Sequence, residues 1–207
     1  MVRVKICGIR TLEAALAAVD AGADALGFVF APSPRRIEPG EAARIIERLP
    51  PFISTVGVFV DAPRQQAQEI AETCRLGLLQ FHGEEPPAYC RGWRLPVVKG
   101  FRVRDNSVLE QVARYDVAAC LLDAYVPGQA GGTGQSFNWE LARQAGSGHY
   151  IILAGGITPD NVEQAVSQAR PYAIDVSSGV ETGGVKDPVK IAALLRTVRR
   201  LNHELDY

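Results

Sequence analysis

Two short stretches set a proton carrier where an apolar run stops. In "VRVKICG" the run ends on Cys7, and in "AACLLDAY" it ends on Asp123. A free thiol has a pKa near ~8.5, so about a few per cent of it is thiolate at pH 7. A nearby ammonium raises that share. Lys5 has the strand parity of Cys7, which turns both to one face and leaves Val4 and Ile6 on the other. Cys7 is therefore a candidate general base, whereas Cys74, Cys90 and Cys120 read as packing cysteines. A carboxyl such as Asp123 can act as general acid when partial burial raises its pKa. Its plain structural alternative is a strand-end carboxylate capping a loop.

Other side chains offer binding rather than proton transfer. The stretches "LAGGITPDNV" and "IDVSSGVETGGVKD" bring Gly155, Gly156, Ser178 and Gly179 as a candidate phosphate site. Glycines let backbone N–H groups approach an anion closely, and a short helix at "SGVET" would add partial positive charge at its N-terminus. Asp175 alternates with Ile174 and Val176, so it could bind a substrate hydroxyl or amine, or pair with Lys5 or Lys99. In "APSPRRI", Arg36 or Arg35 could form a two-pronged pair with a substrate carboxylate. His82 could be an acid, a base or a hydrogen-bonded structural residue. His149 and His203 have no metal-ligand companions at suitable spacing. The run "GQAGGTG" (128–134) lacks the Gly-Lys-Ser/Thr ending of a P-loop and reads as a lid.

Such residues need a scaffold that gathers strand ends. Runs rich in β-branched residues at 2–7, 25–30, 53–60, 77–82, 96–101, 118–123, 149–154 and 172–177 alternate with amphipathic segments. The latter include "TLEAALAAVDAG", "EAARIIERL", "RQQAQEIAETC" and "VKIAALLRTVRRL". Gly22 is a stop signal, and Thr158-Pro159 and Asp187-Pro188 are start signals. Eight such units predict an α/β fold, a single (β/α)₈ TIM barrel over 1–207, in preference to an open doubly wound sheet. Catalytic groups of that architecture sit at the C-terminal strand ends, and phosphate sits between the loops after strands 7 and 8. Here the strand ends carry Cys7, Phe30, Asp61, His82, Lys99 with Phe101, Asp123, Gly155-Gly156 and Ser177-Ser178-Gly179.

Composition narrows the partners. The chain has 207 residues, is 47% hydrophobic and 22% charged, and carries a formal net charge of −1. Nothing in that balance calls for nucleic acid or an anionic membrane. No apolar run approaches the ~20 residues that span a bilayer, and Arg3 and Lys5 interrupt any signal-peptide core. The cysteines fall in no metal-type spacing, so the expectation is reduced thiols, no metal and a cytoplasmic protein. Monomer and homodimer both remain open.

Taken together, "VKICGIR", "GFVFAPSPRRI", "VGVFVD", "LQFHGEE", "LLDAYVPGQAGGTGQSFNW", "LAGGITPDNV" and "IDVSSGVETGGVKD" resemble the phosphoribosylanthranilate isomerases of tryptophan biosynthesis. The resemblance runs in order from residue 2 to about residue 188. It implies an Amadori rearrangement of N-(5-phosphoribosyl)anthranilate to 1-(o-carboxyphenylamino)-1-deoxyribulose 5-phosphate. It implies Cys7 as the base removing the C2′ proton and Asp123 as the acid protonating the furanose oxygen. Arg36 would meet the anthranilate carboxylate. No cofactor is implied, because the substrate's own amine becomes the iminium that acidifies C2′. Two rival readings are a Schiff-base aldolase using Lys99 or Lys5 and a phosphate-ligand binder without turnover.

Overall fold

The computed structural model describes residues 1–123, 139–145 and 148–205. Eight parallel strands appear where the short apolar runs predict them. They are β1 (Arg3–Cys7), β2 (Ala25–Val29), β3 (Ser54–Phe59), β4 (Leu78–Phe81), β5 (Val97–Arg102), β6 (Ala119–Asp123), β7 (Ile151–Ala154) and β8 (Ala173–Val176). They pair in chain order and close into a barrel, with β8 against β1. Closure removes both sheet edges and brings all eight strand ends to one rim.

Strand alternation divides the side chains between two cores. Ile6, Leu26, Phe28, Leu79, Phe81, Leu122, Leu153 and Ile174 face outward and are fully buried under the helices. Inside the barrel, Val98, Ala119, Leu121, Ile152, Ala154 and Ala173 form a smaller cluster with Leu78. Residues two further along these strands reach the rim: Gly100, Asp123 and Asp175.

Two of the three helix-end signals in the sequence hold. For α1 (Leu12–Ala21), Thr11 accepts a hydrogen bond from the Ala14 N–H, and Gly22 closes the helix in the left-handed region at φ 96°. Next come α2 (Pro39–Ile46), α3 (Arg64–Thr73), a single turn α4 (Pro87–Cys90), α5 (Ser107–Val112) and α6 (Trp139–Ala145). Then follow α7 (Val162–Ala169) and α8 (Pro188–Leu205). Asp187 stands before Pro188 as expected, its carboxylate accepting from the N–H groups of Val189 and Lys190. Thr158-Pro159 does not start α7. Asn161 is drawn back to accept from the Thr158 N–H, which holds a turn there, and the helix begins at Val162.

The "SGVET" helix is likewise shorter than expected. A 3₁₀ turn covers Ser178–Val180, and Glu181 belongs instead to a two-residue strand, β9 (Glu181–Thr182), paired with β10 (Val185–Lys186). No helix among the described residues is long and apolar enough to cross a membrane.

Candidate active site

Cys7 ends β1 and is buried, pointing into the barrel beside Lys5. Gly27 on the neighbouring β2 makes the room: a Cβ there would stand 2.7 Å from the Cys7 sulfur and 3.0 Å from Lys5 Cε. Lys5 and Asp175 are register partners across β1 and β8, and Lys5 Nζ donates to Asp175 Oδ2 at 2.7 Å. Of the alternatives for Asp175, pairing with Lys5 is thus met. Its other oxygen, Oδ1, is buried and has no hydrogen-bond partner among the described residues, an acceptor that a ligand hydroxyl or amine could meet.

The electrostatics of Cys7 differ from the sequence expectation. Burial pushes its thiol pKa up; Lys5 works in the opposite direction but does not win. For Lys5 itself, burial pulls the ammonium pKa down, and the charge of Asp175, aided by Cys7, more than restores it. The resting site is therefore a thiol next to a paired ammonium. A thiolate there needs further positive charge, such as a cationic reaction intermediate.

A second buried lysine, Lys186, is near enough for its charge to act on Cys7, and the sequence gives no hint of it. Its Nζ donates to Glu181 Oε1 at 2.6 Å and to the Ser177 carbonyl at 3.0 Å. Glu181 also takes both prongs of Arg35, at 2.7 and 2.6 Å. The two arginines of that loop are placed differently. Arg35 is held by Glu181, whereas the ion pair of Arg36 among the described residues is with Glu38, at 3.0 Å and with both side chains more than half exposed.

Glu181 makes the site's acid stability measurable. Burial works to raise its carboxyl, but hydrogen bonds from Arg35 and Lys186 outweigh it and hold the pKa down at about 2, against an ordinary 4.5. A depressed carboxylate stabilises the fold above its unfolded pKa and loses that contribution as pH falls through the folded value. Wild type should therefore lose stability steeply between pH 4.5 and 2. Glu181→Gln should be less stable at neutral pH and show a shallower slope across that window. Denaturant unfolding followed by circular dichroism at several pH values reads both, and equal slopes would remove Glu181 from the account.

Asp123 ends β6, partly exposed, with His82 Nε2 at 3.3 Å from its Oδ2. Gly155 and Gly156 follow β7 at φ 86° and 65°, conformations that L side chains resist. The loops after β7 and β8 touch: a Cβ on Gly179 would stand 1.8 Å from the Ile157 carbonyl oxygen. Gly155, Gly156, Ser178 and Gly179 thus meet on one side of the rim. The expected lid, 128–134, lies outside the described residues.

Lys99 is not an inward residue. Val98 and Gly100 face the barrel, so Lys99 and Phe101 face the helices. Lys99 Nζ pairs with Glu85 Oε2 at 3.0 Å and donates to the Gly83 and Gly100 carbonyls at 2.6 and 3.0 Å. A saturated, outward ammonium removes it as an imine-forming lysine. Among the described residues, no group of three or more His, Cys, Asp or Glu side chains could hold a metal ion.

The strand ends thus bring a thiol, a carboxyl and two glycine-containing loops to one rim of the barrel. The sequence profile of the family "N-(5'phosphoribosyl)anthranilate (PRA) isomerase" matches residues 4–197. An N-(5'-phosphoribosyl)anthranilate isomerase of Moorella thermoacetica is 57% identical over 97% of this chain and 91% of its own length. A solved phosphoribosyl anthranilate isomerase in complex with reduced 1-(o-carboxyphenylamino)-1-deoxyribulose 5-phosphate superposes with a TM-score of 0.83. It is 39% identical and covers 97% of this chain and 100% of that one. Monomers generated from the dimeric Thermotoga maritima enzyme give a TM-score of 0.84 at 38% identity, with the same coverage.

Proposed function

The chain belongs to the N-(5′-phosphoribosyl)anthranilate isomerase family, and from that premise we propose that Cys7 and Asp123 are its base and acid, with Arg36, Asp175 and the β7–β8 glycine loops holding the substrate. The reaction itself is the intramolecular aldose–ketose conversion of tryptophan biosynthesis, phosphoribosylanthranilate to carboxyphenylaminodeoxyribulose phosphate.

The single observation that carries the residue assignment is the convergence of Cys7 and Asp123 on one rim, each with a partner suited to its task. Asp123 gives its proton to the furanose oxygen as the C1′–O bond breaks, and the anthranilate nitrogen lone pair forms the C1′=N iminium. Cys7, its own thiol proton lost to solvent as the cation forms beside it, then takes the C2′ proton as a thiolate, and the electrons left behind flow into C1′=C2′ as the iminium becomes a neutral enolamine. Tautomerisation, with protonation at C1′, yields the C2′ ketone. The iminium stands where the buried thiol needs it, because a cation beside sulfur favours thiolate. The charges of Lys5 and Lys186 act on the same sulfur in the same direction.

The phosphate would sit against Gly155, Gly156, Ser178 and Gly179, where backbone N–H groups can be reached without a Cβ in the way. At the other end Arg36 would release Glu38 for the anthranilate carboxylate, a fork-to-fork pair that a lysine could not copy. The buried Oδ1 of Asp175 is the natural acceptor for a substrate hydroxyl or amine. Loss of anthranilate fluorescence from freshly generated substrate tests the assignment. Decay by wild type, with almost none by Cys7→Ser or Asp123→Asn, supports it. Unimpaired decay by either variant removes that residue.

A homodimer through the N-terminal rim of the barrel is part of the same proposal. Phe52, before β3, is 99% exposed and held at φ 74°, unfavourable on both counts for a chain alone. On the same rim the Tyr150 and Tyr172 rings meet at 4.4 Å, tilted by 42°, with Arg3 over Tyr172. The Thermotoga maritima relative described as dimeric adds support. Sedimentation should give a dimer for wild type and a monomer for Phe52→Glu, with turnover retained. A wild-type monomer would end this part of the proposal.

A further inference from the structure

Beneath Asp123, the strands β4, β5 and β6 carry an arrangement that acid–base chemistry alone does not demand. His82 follows β4, Asp123 ends β6, and β5 lies between them. The imidazole crosses β5 over Gly100, where a Cβ would stand 2.7 Å from Nδ1 and 2.9 Å from Cγ of the ring. A bare Cα is what lets the ring reach across and set Nε2 at 3.3 Å from Asp123 Oδ2. On its other side, Nδ1 meets Nε2 of Gln80 at 3.2 Å. Gln80 is the one polar residue of β4 facing the barrel interior, and only 2% of it is exposed.

A carboxamide NH₂ can only donate. Facing it, Nδ1 must accept, which fixes the neutral ring as the tautomer with its proton on Nε2, aimed at Asp123. We propose that Gln80 and His82 are positioning residues for the general acid: Gln80 fixes the tautomer of His82, and the His82 N–H fixes the Asp123 carboxyl. The inference rests on the reading of Asp123 as that acid.

The arrangement solves a conflict of charge. Asp123 needs an orienting donor that leaves its second oxygen for the furanose ring. An imidazolium would supply one, but its full charge would favour the carboxylate and take away the proton to be delivered. A ring proton on Nδ1 would collide with the Gln80 NH₂, so the proton belongs on Nε2 and the ring orients Asp123 through a dipole.

Other charged groups around the pair are accounted for among the described residues. Asp61 lies against Gly83, the next residue after His82, and accepts from the Glu84 N–H. Lys99 and Glu85 neutralise one another on the helix side of β5. Arg102 is the register partner of Asp123 and is exposed.

The test combines a spectroscopic signature with a pH profile. In ¹⁵N-histidine-labelled enzyme at pH 7, His82, assigned by its absence in His82→Asn, should show a protonated Nε2 and a bare Nδ1. Gln80→Glu puts an acceptor before Nδ1 and favours the imidazolium. The alkaline limb of kcat/KM should then move down by about one pH unit, a roughly tenfold loss at neutral pH, with KM little changed. Should that variant not fold, Gln80→Met removes the donor without adding charge and should move the limb the same way by less. A ring proton on Nδ1, or an unmoved limb in a folded Gln80 variant, overturns the proposal. Asp123→Asn separates the two levels: retained turnover there defeats the acid assignment, and lost turnover with an Nδ1–H signal defeats the relay alone.

Discussion

Cys7→Ser turns over phosphoribosylanthranilate ~10²–10⁴-fold more slowly than wild type, the range that a positioned base contributes. This corresponds to about 3–5 kcal/mol of lost transition-state stabilisation. The serine hydroxyl fits the space that Gly27 leaves for the sulfur, so the fold and the substrate seat survive and KM stays within a few-fold. What disappears is accessible basicity. Burial already pushes the thiol upward, and a hydroxyl in the same place starts several units higher. Steady-state fluorescence decay with wild type and variant side by side reads the loss. A variant of equal activity would hand the C2′ proton to another group.

Asp123→Asn loses activity over the same ~10²–10⁴-fold range, but at a different step. The amide matches the carboxyl in shape and keeps a hydrogen-bonding oxygen near His82 Nε2, yet it has no proton to give to the furanose oxygen. Ring opening becomes the slow step, ahead of C2′ proton removal. Substrate deuterated at C2′ separates the two variants. Cys7→Ser should express a full primary isotope effect on kcat, whereas Asp123→Asn should suppress it. A large effect in Asp123→Asn would mean that ring opening does not depend on this carboxyl.

Much of this scaffold is legible in the chain because the signals are local. An apolar run outlines each strand, and Thr11, Gly22 and Asp187 sit at helix ends that obey capping chemistry. Cys7 and Asp123 stand out because both end apolar runs. Facing is harder to read. Lys99 lies within a strand, and its direction depends on Gly100, which must face inward to pass beneath the His82 ring. Glycines inside strands do carry a signal, since they mark close approach, and Gly27 and Gly100 both repay that reading. Gln80 shows in "GLLQFH" as a lone amide of His82's parity. Lys186 and Glu181 leave no comparable trace, because their partners come from β2's loop and from Ser177, far apart in sequence.

Glu181 has one more consequence. By gripping Arg35 with two bonds and Lys186 with a third, it welds the segment carrying Arg36 to the segment carrying Ser178 and Gly179. The two ends of the substrate, carboxylate and phosphate, would therefore be seated on parts of one rigid caliper. Such an instrument measures length: an aminosugar phosphate too short or too long to span the jaws cannot close both, whatever its reactivity at C2′.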